Sequence, residues 1–198
     1  MSQSLGRDVV VPVAFDLSTL VPRSVASLYS HLVTRPTGQA LRMGIESQIR
    51  EIGSFCVSVL DFSQVVVLDY SCADEVIAKL IMNYQRDERP NDAYFVVRGL
   101  AEEHTDPIEE VLIRHQLALV AEMNGTTVLL GHVSDVERDV WNELQKLGNA
   151  EPDELARFVG CTLAQSAVAL NNLHRLRTVL QQGTASRFYS LSSLLKAN

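Results

Sequence analysis

Cysteine, long apolar runs and catalytic signatures are what this chain of 198 residues has least of. Its three cysteines, Cys56, Cys72 and Cys161, are separated by 16 and 89 residues. That spacing makes neither a disulfide framework nor a CxxC metal or redox pair, and it points to a reducing cytoplasm. No stretch approaches the roughly 20 apolar residues of a membrane span, and the start, Met1 to Asp8, has no apolar core of a signal peptide. Without a secretion signal, Asn124-Gly125-Thr126 reads as a turn rather than a glycosylation site. There is no GxSxG elbow, no GxGxxG and no Walker loop, and His31, His104, His115, His132 and His174 show neither HxxxH nor HxxEH spacing. The expectation is a cytoplasmic protein that is not an enzyme, with no cofactor, no metal and no membrane contact.

What is present suits a packed globular chain: 46% of residues are hydrophobic and 21% charged. The net charge of −7 is uneven. Residues 1–134 hold 10 Lys and Arg against 17 Asp and Glu, whereas residues 135–198 hold 7 of each. The first part repels phosphate, so any nucleic-acid contact falls to the second.

The most informative stretch is Leu60 to Glu75. Val57–Leu60 and Val65–Leu68 have the length and β-branched makeup of buried strands, and Asp61 and Asp69 each close such a run with a carboxylate. Asp69, Ser71 and Asp74 then suit the N-cap and first turn of a helix whose apolar residues Val76, Ile77, Leu80, Ile81 and Tyr84 recur at three and four, to about Arg86. Around it, Asp8–Phe15 reads as a strand confined to a sheet edge by Pro12. Leu20–Val33 and Thr37–Ile52 read as helices, Ala93–Arg98 as a strand, and Asp106-Pro107 as the cap and first position of a helix through Ala121. Thr126–Leu130 is the last strand of an α/β layer, a mixed sheet with helices.

The order Leu60-Asp61-Phe62-Ser63-Gln64-Val65, then Asp69-Tyr70-Ser71, resembles the STAS domain of bacterial anti-sigma-factor antagonists, whose motif is LDxSxVxxxDSSG before a helix; Ala73-Asp74-Glu75 is closer to the STAS-like branch. The likeness covers about residues 36–131. It implies a partner kinase or anti-sigma-like protein, and a serine after the second aspartate that is phosphorylated to switch partner binding. Tyr70 occupies that position here and Ser71 follows it, so the switch candidates are Ser71, Asp69 and Asp74. The other reading makes Ser71 a helix cap and Asp74 a residue that offsets the helix dipole. A phosphate on Ser71 would carry about −1.5 to −2 charge at a helix N-terminus.

From Asp135 the pattern becomes helix, helix, helix, hairpin. Val136, Val140, Leu144 and Leu147 line the first helix. Glu151-Pro152-Asp153-Glu154 opens the second, Gly160-Cys161-Thr162 turns, and Leu163 to about Arg177 forms the third. Val179–Gln182 and Arg187–Leu191 are the strands of a hairpin. This order resembles the winged helix-turn-helix of MarR- and ArsR-type regulators, carried by Glu154–Gly160, Leu170, Leu173 and the wing residues Arg187–Leu191. The resemblance implies DNA contact from Thr162 at the helix start, adenine-edge contacts from Gln165 and Asn172, and phosphate contacts from Arg175, Arg177 and Arg187. Ala164, Ala167, Val168 and Ala169 leave the entering half of that helix almost uncharged, and on this rests the alternative to DNA contact, a protein-binding or dimerisation module.

The chain thus divides into residues 1–35, a strand and helix suited to a dimer contact, residues 36–133, the STAS-like α/β domain, and residues 134–198, the winged helix. Three functions remain open. The first is a homodimeric transcription regulator on double-stranded DNA whose winged helix is controlled by the STAS-like switch domain, two half-sites needing two recognition helices. The second is a non-catalytic protein–protein adaptor, and the third is small-ligand binding in the α/β part, against which the Leu60–Ser63 run argues.

Overall fold

A computed structural model of the chain describes residues 22–53, 55–181 and 186–196. The expected strand at Asp8–Phe15 and the tip of the C-terminal hairpin lie outside the described residues. At the centre is a five-stranded sheet of order β1-β3-β5-β6-β7: β1 Arg23–Ser27, β3 Phe55–Asp61, β5 Asp92–Arg98, β6 Ala118–Met123 and β7 Thr126–Gly131. The first four are parallel and β7 returns antiparallel. Asn124 and Gly125, at φ 51° and 75°, supply the two left-handed residues that a tight hairpin turn requires. Two-residue strands, β2 His31–Leu32 and β4 Val67–Leu68, pair in parallel.

Three helical connections cover one face of the sheet: α1 Arg35–Ile52, α2 over residues 70–85, and α3 Thr105–Arg114. Successive parallel strands step across the sheet in one direction, so their crossovers fall on one side. Alternation along the strands decides which side chain meets which layer. In β5, Ala93, Phe95 and Val97 join Ile45, Ile49, Ile77 and Leu80 under the helices. Tyr94 and Val96 point the other way, where they meet Trp141, Leu144, Leu173 and Val179. Both faces are covered, so β3, β5 and β6 read as continuous apolar runs.

That second layer is the C-terminal part: α4 Asp135–Leu147, α5 Pro152–Val159, α6 Leu163–Arg175, a three-stranded antiparallel sheet β8-β10-β9 (Asn149–Ala150, Phe188–Ser190, Val179–Gln181), and α7 Leu191–Lys196. Ser134 with Glu137, and Thr162 with Gln165, form capping boxes that fix the starts of α4 and α6. The C-terminal part thus shares a continuous apolar core with the sheet. No helix among the described residues is long and apolar enough to cross a membrane.

The structure corrects several expectations. Within Leu20–Val33 the described residues are strands, not helix; β1 pairs with β3 from Arg23↔Val57 to Ser27↔Asp61, with Ser24 donating to Ser58 at 3.0 Å. Apolar residues four apart, Leu28 and Leu32, imitate a helical stripe although each sits in or beside a separate short strand. The expected strand Val65–Leu68 is paired only at Val67–Leu68. The helix expected through Ala121 ends at Arg114, and its N-cap is His104, with Asp106 in the first turn. Gln116 adopts φ 55° and the Leu117 N–H closes on the Leu112 carbonyl at 2.8 Å, which stops the helix. The apolar run that follows is β6, because a buried strand and a buried helix segment share the same pattern. The helix α7, in place of a plain chain end, was not expected.

Candidate functional site

The Leu60–Glu75 stretch meets the β1–α1 connection at one end of the sheet. Leu32 pairs with Leu68, and the Asp69 N–H donates to the Leu32 carbonyl at 2.9 Å. This short ladder sets two helix starts side by side. Thr34 caps α1, its Oγ1 accepting from the Thr37 N–H at 3.3 Å. Asp69 caps α2, its Oδ1 accepting from the Cys72 N–H at 2.7 Å and from Ser71 Oγ at 2.9 Å. Gly38 lets the helices close: a Cβ there would lie 2.9 Å from Glu75 Cβ and 3.0 Å from Cys72 Sγ.

Apolar and aromatic side chains surround the paired caps without being buried. Tyr29 is 68% exposed, Val66 62%, Tyr70 48%, Val33 42% and Val67 41%. They come from the β1–α1 connection and from the segment running through β4 to the first residue of α2, held together by the Val66 and Val67 N–H groups, which both donate to the Ser30 carbonyl, at 2.7 and 3.1 Å. Scattered exposed apolar residues are ordinary; several on adjoining segments make this a candidate contact surface.

Beneath this surface α2 changes winding: an α turn at Tyr70–Ala73, a π turn at Asp74–Ala78, then α again from Lys79 to Gln85. Such π turns recur at functional positions. Here the turn carries two adjacent buried carboxylates. Glu75 is held by Arg35 at 2.9 Å, by Arg42 at 3.5 Å and by Lys79. Asp74 is held by His115 at 2.8 Å, Arg35 at 3.1 Å and Lys79 at 3.8 Å. Burial pushes the Glu75 carboxyl up, but the hydrogen bond and charge of Lys79, with Arg35 and Arg42, outweigh it and leave the group below its ordinary value. Burial likewise raises Asp74, and the bonds from His115 and Arg35, with the charges of His115 and Lys79, bring it down.

Of the expected switch residues, Ser71 and Asp69 are brought together at the α2 cap, with Ser71 half-buried. Asp74 belongs to the buried ion cluster, not to the cap, because one helical turn carries it under Arg35. Sequence reasoning missed Arg35, Arg42, Lys79 and His115. The seven-residue spacing of Arg35 and Arg42, and the Glu75–Lys79 step of four, were the available signals. Ser71 Oγ donates to the Asp69 carboxylate, and among the described residues no group of three or more His, Cys, Asp or Glu is placed to hold a metal.

In the C-terminal part, Thr162, Gln165, Asn172 and Arg175 lie along α6. Gln165 Oε1 accepts from the Thr162 N–H at 2.9 Å, so part of its side chain is spent on the cap. Gln165 and Asn172 edge a groove of about 340 Å³ floored by Val136, Ala164, Val168 and Ala169. Arg175 is exposed, with no ion-pair partner among the described residues. Arg187 reaches Asn149 at 2.8 Å and Glu151 at 3.5 Å instead of projecting from the hairpin. Arg177 departs furthest from its expected phosphate contact. It is 7% exposed, its guanidinium lies 4.2 Å from the Tyr94 ring centroid, and it donates to the Ala93 carbonyl at 2.7 Å and to Asp92. Burial holds the His174 imidazole below its ordinary value, so it adds no cation near pH 7. Phe158, Leu163 and Val168 are exposed on the same helices.

No protein-family model matches the chain, and no curated protein matches it.

Proposed function

We propose that the chain is a non-catalytic regulator that works by docking a partner protein on a STAS-like domain, with a C-terminal winged helix built onto the back of the same sheet. The observation that carries this reading is the surface of Tyr29, Val33, Val66, Val67 and Tyr70 around the capped Ser71–Asp69 pair. It supplies apolar contact area from two loops and, at its centre, a hydroxyl at a helix N-terminus where added phosphate would meet backbone N–H groups. The partner class is a kinase of the GHKL type or an anti-sigma-like protein. Calorimetric titration of such a kinase into the wild type, Val66→Ser and Tyr70→Ser tests it: the wild type binds and the variants lose about tenfold or more, as exposed interface anchors do. Equal binding by all three removes the surface from the function.

A second reading, DNA contact through α6, is favoured by exposed Arg175 in line with Gln165 and Asn172. Buried Arg177, paired Arg187 and exposed Leu163 and Val168 weigh against it. Fluorescence anisotropy with genomic fragments at low and moderate salt tests it. Salt-sensitive binding that Arg175→Ala weakens supports it, and no binding at low salt ends it.

A further inference from the structure

On the back of the sheet, where β1, β3, β5 and β6 run out from under the C-terminal layer, a cavity of about 290 Å³ opens between the strands and α7. Its floor is three aligned valines, Val25, Val59 and Val96, which the parallel register places side by side on one face. One step further along the strands, the row Ser27, Asp61, Arg98, Glu122, Thr127 crosses the same face. Arg98 and Glu122 line this cavity and also a second hollow of about 390 Å³, bounded by Ser63, Gly99, Asn124 and Gly125. An apolar compartment and a polar one therefore meet at a guanidinium and a carboxylate.

The charges there are arranged to receive both signs. Arg98 turns Nε and Nη2 to Asp61 Oδ2, at 3.1 and 2.8 Å, which fixes its plane and leaves Nη1 without a partner among the described residues. Burial raises the Asp61 carboxyl, but hydrogen bonds from Ser63 and Arg98 bring it below its ordinary value, so the clamp stays ionised at neutral pH. Glu122 is exposed, and its side chain has neither an ion pair nor a hydrogen bond among the described residues. The other lining cation, Arg23, is committed to the Leu194 and Leu195 carbonyls of α7. Arg98 and Glu122 are register partners on neighbouring strands, about 4.8 Å apart in backbone spacing. A ligand that engages both carries its opposite charges on nearly adjacent atoms. The valine floor asks for an aliphatic group, and the volume, just under the about 300 Å³ lower bound of drug-sized ligand pockets, asks for a small one.

We propose that this cleft binds a free α-amino acid with a branched aliphatic side chain, its carboxylate on Arg98, its ammonium on Glu122 and its side chain on Val25, Val59 and Val96. The ligand touches both the sheet and α7, so its occupancy stabilises the union of the two parts. The site lies on the opposite side of the sheet from the helical layer and does not depend on the partner-docking reading.

The test is calorimetry and thermal shift of the full chain with L-leucine, L-isoleucine and L-valine, beside two analogues of leucine, 4-methylpentanoate without the amine and 3-methylbutylamine without the carboxylate. At least one amino acid binds and raises the melting temperature, and both analogues bind weaker by about 10- to 100-fold, the worth of one charge-assisted contact. Glu122→Gln, a change at an exposed side chain, leaves the melting temperature of the free protein in place and loses amino-acid binding by the same factor. Val25→Asp, at a position already 46% exposed, also abolishes it. Absence of binding by all three amino acids overturns the proposal, as does equal affinity for either analogue or for Glu122→Gln.

Discussion

Replacing Arg177 by alanine separates a structural arginine from a phosphate-binding one. The guanidinium is almost fully enclosed between the sheet and the C-terminal layer. Its Nε–H to the Ala93 carbonyl, at 2.7 Å, is a charge-assisted bond of about 1.5–3 kcal/mol. Stacking 4.2 Å from the Tyr94 centroid adds about 0.5–2 kcal/mol. Asp92 contributes little more, since it is 38% exposed at its side chain and keeps Arg89 at 3.2 Å. Alanine gives no relief of backbone strain, because Arg177 sits at φ 62°, where any residue with a Cβ is strained. The expected loss is about 3 kcal/mol, or about 6–12 °C in melting temperature for a chain of this size. Urea unfolding followed by circular dichroism and tryptophan fluorescence measures it, Trp141 reporting from the core that the two parts share. Arg177→Lys keeps the charge but not the planar fork and falls between wild type and alanine. A loss below about 1 kcal/mol for Arg177→Ala would mean that these contacts do not hold the guanidinium between the layers and would leave Arg177 free for an outside ligand.

Other outcomes follow from the same contacts. Gly131→Ala drives a Cβ into the Leu117 carbonyl at φ 93°, so it costs about 2–4 kcal/mol in chemical denaturation, while Gly125→Ala, with open space around it, costs only the left-handed strain of about 1–2 kcal/mol. Asp74 and Glu75 have depressed carboxyls, so the unfolded chain binds more protons in acid; the stability they add is present above their ordinary values of about 4 and is lost as pH falls through the folded values. Glu75→Gln therefore flattens the acid limb of a stability–pH profile below about pH 5 and lowers stability at neutral pH; an unchanged limb would show that Glu75 is not paired in solution. Ser71→Ala removes one hydroxyl bond to Asp69 and costs about 0.5–1.5 kcal/mol by thermal denaturation, leaving the α2 cap to Asp69.

The layered α/β core was legible because β3, β5 and β7 are apolar runs closed by turn residues, and α1, α4 and α6 carry clear caps. The stops and short pairings were less legible. Nothing local distinguishes Leu117–Ala121 as a strand; the decision rests on Gln116 taking a left-handed conformation and on a place beside β5. β1 is an edge strand of five residues whose pairing with β3 is a long-range fact. At the site, the Asp69 cap was readable from residue type and position. The ion cluster was not, because Arg35, Arg42 and His115 meet Asp74 and Glu75 only once three helices have packed. Arg177 misled for the same reason: charge at the end of a presumed recognition helix says nothing of whether the sheet lies against it.

On the proposed function, the Tyr29–Tyr70 surface, not α6, receives the partner. Hydrogen–deuterium exchange of the full chain with and without a bound GHKL-type kinase measures this directly. New protection is expected in the peptides covering residues 29–33 and 63–72, lost in Val66→Ser. Protection confined to residues 158–175, with none at 29–33 or 63–72, would contradict it.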